Sequence, residues 1–371
     1  MKKGWQTKTL GDLCEVVAGQ SPEGKFYNAE GKGMPFYQGK KDFGEKFIEA
    51  PTTWTTQTTK VATEGDILMS VRAPVGPVNF ATDEVCIGRG LAAIRSRAEL
   101  NREFLFYQLL HMQSEIAGKE GAVFASINKS EIEALSIAFA PLPEQRRIVG
   151  ILDEAFEGIA TAKANAEKNL QNTRALFESH LQSVFTQRGP GWVETTVDKI
   201  STNLDSKRVP ITKHVRISGE YPYYGASGIV DYVGDYIFDG DTLLVSEDGA
   251  NLLARSTPIA FSVSGKYWVN NHAHILRFEN TATQRFVEFY LESIKLDEYI
   301  TGAAQPKLNQ KALNSIPIPI PKSVEAQAKI VESVESFQEE TQRLASLCER
   351  KLTALEALKK SVLHQAFIGQ L

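Results

Sequence analysis

Two long amphipathic runs, each following a domain-sized stretch of mixed pattern, recur in this 371-residue chain with identical residues at identical steps. Ala175, Leu176, Ser179, Leu181 and Phe185 return as Ala357, Leu358, Ser361, Leu363 and Phe367 at one constant offset. Gly121, Asn128 and Ile137 return as Gly302, Asn309 and Ile318 at an offset one residue shorter, and Phe104 and Leu109 return as Phe286 and Leu291. Gly4-Trp5 is echoed by Gly191-Trp192. The chain is a tandem duplication with small insertions and deletions between its copies. Residues 20–60 and 203–235 occupy equivalent places yet share almost nothing, so a common frame carries two divergent inserts. That pattern suits one task performed on two different targets.

In the first run Ile148, Leu152, Ala155, Ile159, Ala162, Ala166, Leu170, Phe177, Leu181 and Val184 fall mainly three or four apart, one apolar stripe on a helix. Val331, Val334, Phe337, Leu344, Cys348, Leu352, Leu355, Leu358 and Val362 repeat the stripe, with charges such as Glu339, Glu340, Arg350 and Lys351 between. Each run predicts a helix of ~43 residues, ~65 Å at 1.5 Å per residue. One small domain cannot bury a stripe that long. The helices are therefore expected to pack along each other in a coiled coil, Leu152, Ile159, Leu170 and Phe177 facing Phe337, Leu344 and Leu355. Two independent surface helices are the alternative.

Four segments follow: a domain over 1–143, a helix over 144–187, a domain over 188–322 and a helix over 323–371. Gly189-Pro190-Gly191 stops the first helix, since proline lacks an amide donor and glycine accepts left-handed geometry. Pro141-Leu142-Pro143 leads into that helix. Ile316-Pro317-Ile318-Pro319-Ile320-Pro321 leads into the second, with Ser323 as N-cap and Glu325 near the positive helix end. Leu135, Ile137 and Phe139 alternate with small residues, as the isoleucines alternate with prolines, which predicts an edge strand before each helix. Gly65-Asp66 before Ile67–Val71 and Gly240-Asp241 before Thr242–Ser246 read as turn then buried strand. Residues 101–117, with Asn101 as cap, and 283–300 have helical spacing. The class is α+β.

Cys14, Cys86 and Cys348 fit neither a metal spacing nor a paired disulfide framework, which points to a reducing, cytoplasmic setting. No apolar run follows Met1-Lys2-Lys3-Gly4-Trp5 and no stretch approaches the ~20 apolar residues of a membrane span, so no membrane partner is expected. The net charge of −4 is spread evenly, one unit per segment, so nucleic-acid binding does not follow from charge alone. There is no GxxxxGK[ST] phosphate loop, HExxH, paired CxxC or GxSxG elbow, and no Asn-Pro-Pro-aromatic tetrapeptide of the kind that positions a base amine for methyl transfer. His272 and His274 would point the same way on a strand, as a metal or catalytic pair does. No adjacent carboxylate or cysteine completes a ligand set, and the matching stretch Gly88-Arg89-Gly90-Leu91-Ala92 has no histidine. The chain reads as non-catalytic, with no metal and no cofactor of its own.

The divergent regions hold polar, basic and aromatic side chains among glycines: Gln38, Lys40, Lys41, Arg72 and Arg89 in the first domain, and Lys207, Arg208, Tyr223, Tyr224, Asn251, Arg255, Asn270, Asn271 and His272 in the second. Arg and Lys bond guanine edges, and Asn and Gln pair with adenine, each bidentate contact discriminating by ~1–3 kcal/mol. These are candidate base readers, set against the bland reading of ordinary solvated loops. Asn128-Lys129 and Lys307-Leu308-Asn309 lie at matching places before each edge strand. A sequence-blind phosphate contact would be common to both copies there; a helix cap or turn asparagine explains them equally well.

These features together, with Pro-Leu-Pro-Glu-Gln-Arg-Arg-Ile-Val at 141–149 and its echo in Gln327, Ile330 and Val331, resemble the specificity subunit of a type I restriction-modification system across essentially the whole chain. The second lead-in lacks Glu-Gln-Arg-Arg, so its helix-start contacts are expected to differ. The resemblance implies two target-recognition domains, each reading half of a bipartite double-stranded DNA sequence, related by pseudo-twofold symmetry and spaced by the antiparallel helices. It also implies two methyltransferase subunits and restriction/translocase subunits as partners, to which S-adenosylmethionine, ATP and Mg would belong. A coiled-coil scaffold that binds only protein is the competing reading.

Overall fold

The computed structural model describes residues 4–118, 126–302 and 304–371; Gly121 lies outside them. The chain forms two compact units, one of Met1–Ala166 with Arg350–Leu371, the other of Glu167–Glu349. Each long helix therefore contributes to both.

In the first unit, Cys14–Ala18, Leu91–Ser96, Ile67–Ser70 and Val78–Phe80 form a four-stranded antiparallel sheet in that order. Gly65, at φ +84°, makes the turn into Ile67–Ser70 that its Gly-Asp signature predicts. All four residues of that strand are buried because the sheet is covered on both faces. Ile67, Met69, Ala92 and Ile94 face a core shared with the long helices, where Ile148, Leu152, Leu363 and Ala366 sit. Leu68, Leu91 and Ala93 face a smaller core inside the insert, with Tyr37, Ile48, Val85 and Ile87.

The second unit repeats this sandwich. Thr202–Asn203, Ala273–Arg277, Thr242–Ser246 and Ala260–Val263 form the sheet. Leu243, Val245 and Leu276 face the helix side with Leu181, Phe185, Val331 and Val334. Leu244 and Ile275 face the insert core around Tyr267 and Val269.

Both lead-in strands are edge strands. Among the described residues, Ser136–Phe139 pairs only with Gln6–Thr9, and Pro317–Pro321 only with Trp192–Thr196, which leaves the proline-bearing edge with no ladder to break. Short helices follow each sheet. Arg102–His111 is capped by Asn101, whose side-chain Oδ1 accepts from Phe104 N at 2.9 Å, and Thr281–Ser293 is capped by Asn280, whose Oδ1 accepts from Thr283 N at 2.8 Å. Each is shorter than its apolar spacing suggests.

The long helices span Leu142–Thr186 and Val324–Phe367, 45 and 44 residues. Pro143 sits in the first turn of the first, where a missing amide costs nothing. That helix ends at Thr186, before Gly189 is reached. In the first unit the helices run antiparallel, with Lys163 paired to Glu356 at 2.8 Å and Arg147 donating to the Leu371 carbonyl at 2.7 Å. In the second, the His180 ring lies 4.2 Å from that of Phe337.

The predicted pairing stripe needs correction. Leu152 and Ile159 are buried, and Leu170, Phe177, Phe337 and Leu355 are half-buried, but Leu344 is 46% exposed. Small residues take the buried places around midhelix instead: Ala166 in the first unit, Thr173 and Thr341 in the second. Both threonine hydroxyls donate to carbonyls of their own helix, Asn169 and Phe337, which satisfies them without a partner across the seam.

What fastens helix to domain is a buried glutamine, present twice. Gln145 Nε2 donates to the Ala140 and Glu99 carbonyls at 2.7 and 3.1 Å, and its Oε1 accepts from Asn101 N at 2.7 Å. Gln327 Nε2 donates to the Pro321 carbonyl at 2.7 Å, and its Oε1 accepts from Thr283 Oγ1 at 2.6 Å. The second helix start therefore reproduces the first despite lacking Glu-Gln-Arg-Arg. Gln145→Ala leaves the buried Ala140 carbonyl unmet, at ~1–3 kcal/mol, and removes the partner of two part-buried main-chain groups, the Glu99 carbonyl and the Asn101 amide. We expect a loss of about 2–4 kcal/mol and a lowered melting temperature, against little change for the exposed Glu154→Ala; equal melting of the two variants would refute the assignment.

Candidate nucleic-acid interface

In each unit three loops meet at one end of the sheet. In the first, Met34–Tyr37 runs parallel to Val85–Ile87, and Gly88 N donates to the Tyr37 carbonyl at 2.8 Å. Val71 N donates to the Gly90 carbonyl at 2.9 Å, Ile127 N donates to the Val71 carbonyl at 3.0 Å, and Arg72 bridges Ser126. The second unit repeats every one of these links. Ser218–Gly225 runs parallel to Lys266–Val269, and Asn270 N donates to the Tyr224 carbonyl at 3.0 Å. Glu247 N donates to the His272 carbonyl at 2.9 Å, Leu308 N donates to the Glu247 carbonyl at 2.8 Å, and Asp248 bridges Lys307.

Hydrogen bonding thus equates Gln38 with Gly225, Arg72 with Asp248, and Gly88-Arg89-Gly90 with Asn270-Asn271-His272. The common frame reaches into the inserts, where the sequence copies show no similarity. It does so because these links are backbone to backbone and leave side chains free to change.

Glycine permits the close crossing. A Cβ on Gly90 would lie 2.2 Å from the Gln38 carbonyl oxygen, and one on Gly225 would lie 2.9 Å from Val230 Cγ1. The first unit carries a side chain at 38 and, because the contact is with main chain, none at 90. The second carries none at 225 and an imidazole at 272.

The structure sorts the candidate readers. Gln38, Lys40, Arg72 and Arg89 are exposed, and their side chains have no hydrogen bond or ion pair among the described residues. Lys41 is also exposed, 3.7 Å from Asp42. Asn271 and Lys207 are exposed and free in the second unit, and His272 is exposed with its Nδ1 on Asp248. Only Gln38, Arg72 and Arg89 in the first unit, and Asn271 and His272 in the second, lie on the matched loops.

Six other expectations are corrected, because their side chains are already packed or hydrogen-bonded within the unit. Arg208 is turned inward, donating to the Glu247 carboxylate at 2.6 Å and to the Ala273 carbonyl at 2.8 Å. Arg255 ends a helical turn in left-handed geometry, with its guanidinium on the Leu291 and Ile294 carbonyls. Tyr223 is buried, bonded through its hydroxyl to Ile211. Tyr224 packs half-buried on Phe261 and Tyr267. Asn251 ties its own loop to Ser256 and Thr257, and the buried Asn270 accepts from His272 N.

Among the backbone candidates, Asn128 and Asn309 are helix caps, accepting from Glu131 N and Ala312 N, both at 3.0 Å. Lys129 lies 3.5 Å from Glu133, and Lys307 lies 3.1 Å from Glu247; both stay half-exposed.

The two histidines do not form a pair. His272 precedes the strand Ala273–Arg277, whereas His274 is buried inside it. His274 Nδ1 lies 2.5 Å from Asp205, and its Nε2 lies 2.7 Å from the Leu308 carbonyl. The carboxylates missing from the local sequence do converge here, since Asp205, Glu247 and His274 place ligand atoms within 4.8 Å of one another. Arg208 already supplies the cation that cluster would need, so the donor set is that of an internal ion network and does not fit a metal.

Burial pushes the Asp205 carboxyl up, but the His274 bond and charge, the Ile275 amide and Arg208 outweigh it and hold it below 3.8. Burial likewise pushes the Glu247 carboxyl up, but Arg208, His274 and Lys307 outweigh it and hold it below 4.5. Their contribution to stability is therefore complete above the ordinary carboxylate range and is lost as pH falls through the lower folded values.

A family model of the type I restriction modification DNA specificity domain matches residues 2–171 and 191–349. The chain belongs to that family. One relative within it, the putative type I restriction enzyme MjaX specificity subunit of Methanocaldococcus jannaschii, is 38% identical over 174 residues, 46% of this chain and 40% of that protein. The putative type I restriction enzyme specificity subunit S.HindORF215P of Haemophilus influenzae is 32% identical over 168 residues, covering 45% and 41%. The matches span well under half the length of these curated relatives. In fold the likeness is end to end: a chain from a structure of complex assembly in the type I R-M system superposes with TM-score 0.82 at 18% identity, covering 100% of this chain and 99% of that one. The HsdS subunit of Thermoanaerobacter tengcongensis gives 0.63 at 18% identity, covering 100% and 98%.

Asp205→Asn is expected to lower the melting temperature at pH 7 and to flatten its decline below pH 3.8, where the wild-type carboxylates take up protons. An acid limb identical to wild type would remove the network from the stability of this unit.

Proposed function

We propose that this chain is the DNA-reading subunit of a type I restriction-modification complex, each unit recognising one half of a bipartite double-stranded sequence. The observation that carries the reading is the duplicated loop edge, with one backbone frame presenting Gln38, Arg72 and Arg89 in one copy and Asn271 and His272 in the other. A frame kept in common while its side chains change chemistry suits recognition of two different base sequences. A scaffold that only bound protein would have no need of guanidinium and amide groups at that edge in one copy and of an amide and an imidazole in the other.

The chain acts without catalysis of its own, in the cytoplasm. Methyltransferase subunits and restriction/translocase subunits assemble on it and hold S-adenosylmethionine, ATP and Mg. The long helices set the unread spacer and dock the methyltransferase subunits. Near-neutral charge in every segment supports this division of labour, because phosphate attraction then rests largely on the partners.

Exchanging residues 1–143 for the corresponding domain of another family member is expected to change one half of the methylated sequence and leave the other intact, as read by methylation mapping. Both halves changing together would sink the reading. Within the first half, Arg89→Ala is expected to relax one base position by roughly tenfold, while Lys129→Ala weakens all sequences alike and lowers the salt slope. Uniform loss from Arg89→Ala would reassign that residue to the phosphate backbone.

A further inference from the structure

We propose that Asp248 and His272 form a base-reading pair specific for guanine in the half-site of the second unit, with His272 touching the base and Asp248 positioning it. The inference rests on the DNA-reading function above and adds to it the atom, its orientation and the base.

His272 Nδ1 lies 2.9 and 3.0 Å from the two Asp248 carboxylate oxygens. An ionised carboxylate only accepts hydrogen bonds, so Nδ1 carries the proton and donates. The ring is thereby fixed in one orientation, with Nε2 outward. The histidine side chain is 47% exposed, whereas that of Asp248 is 15% exposed. Nε2 has no partner among the described residues. The main chain is held equally firmly. His272 N donates to Asn270 Oδ1 at 2.7 Å, its carbonyl accepts from Glu247 N, and Asp248 is pinned by its bridge to Lys307. A side chain with both its backbone and its ring fixed loses little freedom on binding, which favours discrimination.

The position is that of a reader. His272 stands at the place of Gly90, beside Asn271 at the place of Arg89, and Asp248 stands where the first unit has the free Arg72. The acidic residue at that place therefore has a reason. It does not face the ligand as Arg72 does; it turns an adjoining imidazole toward it.

Guanine is the base that completes the arrangement. Bound as the imidazolium, its second proton taken from solvent, the ring donates from Nδ1 to the carboxylate and from Nε2 to the base; guanine presents two acceptors there, N7 and O6, where adenine sets its N6 amino donor beside N7. The same molecule already holds an imidazole this way, His274 between Asp205 and the Leu308 carbonyl. The other charged groups around the pair are Glu247, which is engaged by Arg208 and Lys307, and Lys307 itself.

The test uses the full chain co-expressed with the methyltransferase subunits of its system, a randomised double-stranded DNA library, and methylation as the readout of the selected word. His272→Ala is expected to erase a guanine preference of roughly tenfold at one position of one half-site, with the other half-site unchanged as an internal control for folding. Asp248→Ala should weaken the same position, and should add nothing once His272→Ala is present. Duplexes carrying 7-deazaguanine at that position, with N7 replaced by carbon, should be bound about tenfold more weakly by wild type and no differently by His272→Ala. His272→Gln, which keeps a donor of similar reach, should restore part of the preference. A selected word that His272→Ala leaves unaltered overturns this inference alone, as does loss at a position occupied by a base other than guanine. A wild-type complex that selects no bipartite word overturns the DNA-reading function and this inference with it.

Discussion

The attachment of each domain to its long helix rests on one buried side chain, Gln145 in the first copy and Gln327 in the second. A glutamine amide donates and accepts in one plane, and in both copies it donates to the carbonyl at the end of the lead-in strand and accepts from the start of the neighbouring capped helix. Three elements meeting at one amide cannot slide past one another without stranding polar groups in an apolar core. Hydrophobic burial along the helix stripe supplies most of the attraction, but it is tolerant of small shifts. The amide removes that tolerance.

From that junction the sheet runs to the opposite duty. One face of each strand belongs to the helix-side core and the other to the insert core, so the sheet transmits the fixed position of the helix to the loops at its end. Those loops are tied by main-chain hydrogen bonds, and the chemistry they display is therefore free to diverge. The first unit displays cations and an amide; the second displays an amide and an imidazole backed by a carboxylate.

Much of this was legible in the sequence, and the reasons it was differ from element to element. The two helices, the Gly-Asp strands and the proline-bearing edge strands follow from local patterns whose period alone fixes their geometry. The pairing stripe was overread at Leu344, because periodicity reports a face and not what the neighbouring helix presents to it; threonines that satisfy their own hydroxyls took buried places. Site residues fared worse. Arg208, Arg255 and Tyr223 have the composition of readers, yet their partners, Glu247, Leu291 and Ile211, lie far off or out of any local motif, and only tertiary folding shows them engaged. Asp248 left no signal, since an acidic residue in a loop is ordinary until its imidazole partner is seen. The equivalence of Tyr37 with Tyr224 was invisible for a related reason: backbone hydrogen bonds conserve shape without conserving residues.

The exchange of Gln38 and Gly90 in one copy for Gly225 and His272 in the other has an evolutionary corollary. A Cβ at 90 would meet the main-chain carbonyl of Gln38, and one at 225 would meet the side chains of Val230 and Asn270, so neither glycine can gain a side chain unless the loop packed on it moves as well. Point mutation is a poor explorer of such terrain. Wholesale transfer of an insert, guided by the repeated flanking segments that homologous recombination can align, moves a glycine together with the loop packed on it and arrives at a working alternative in a single event.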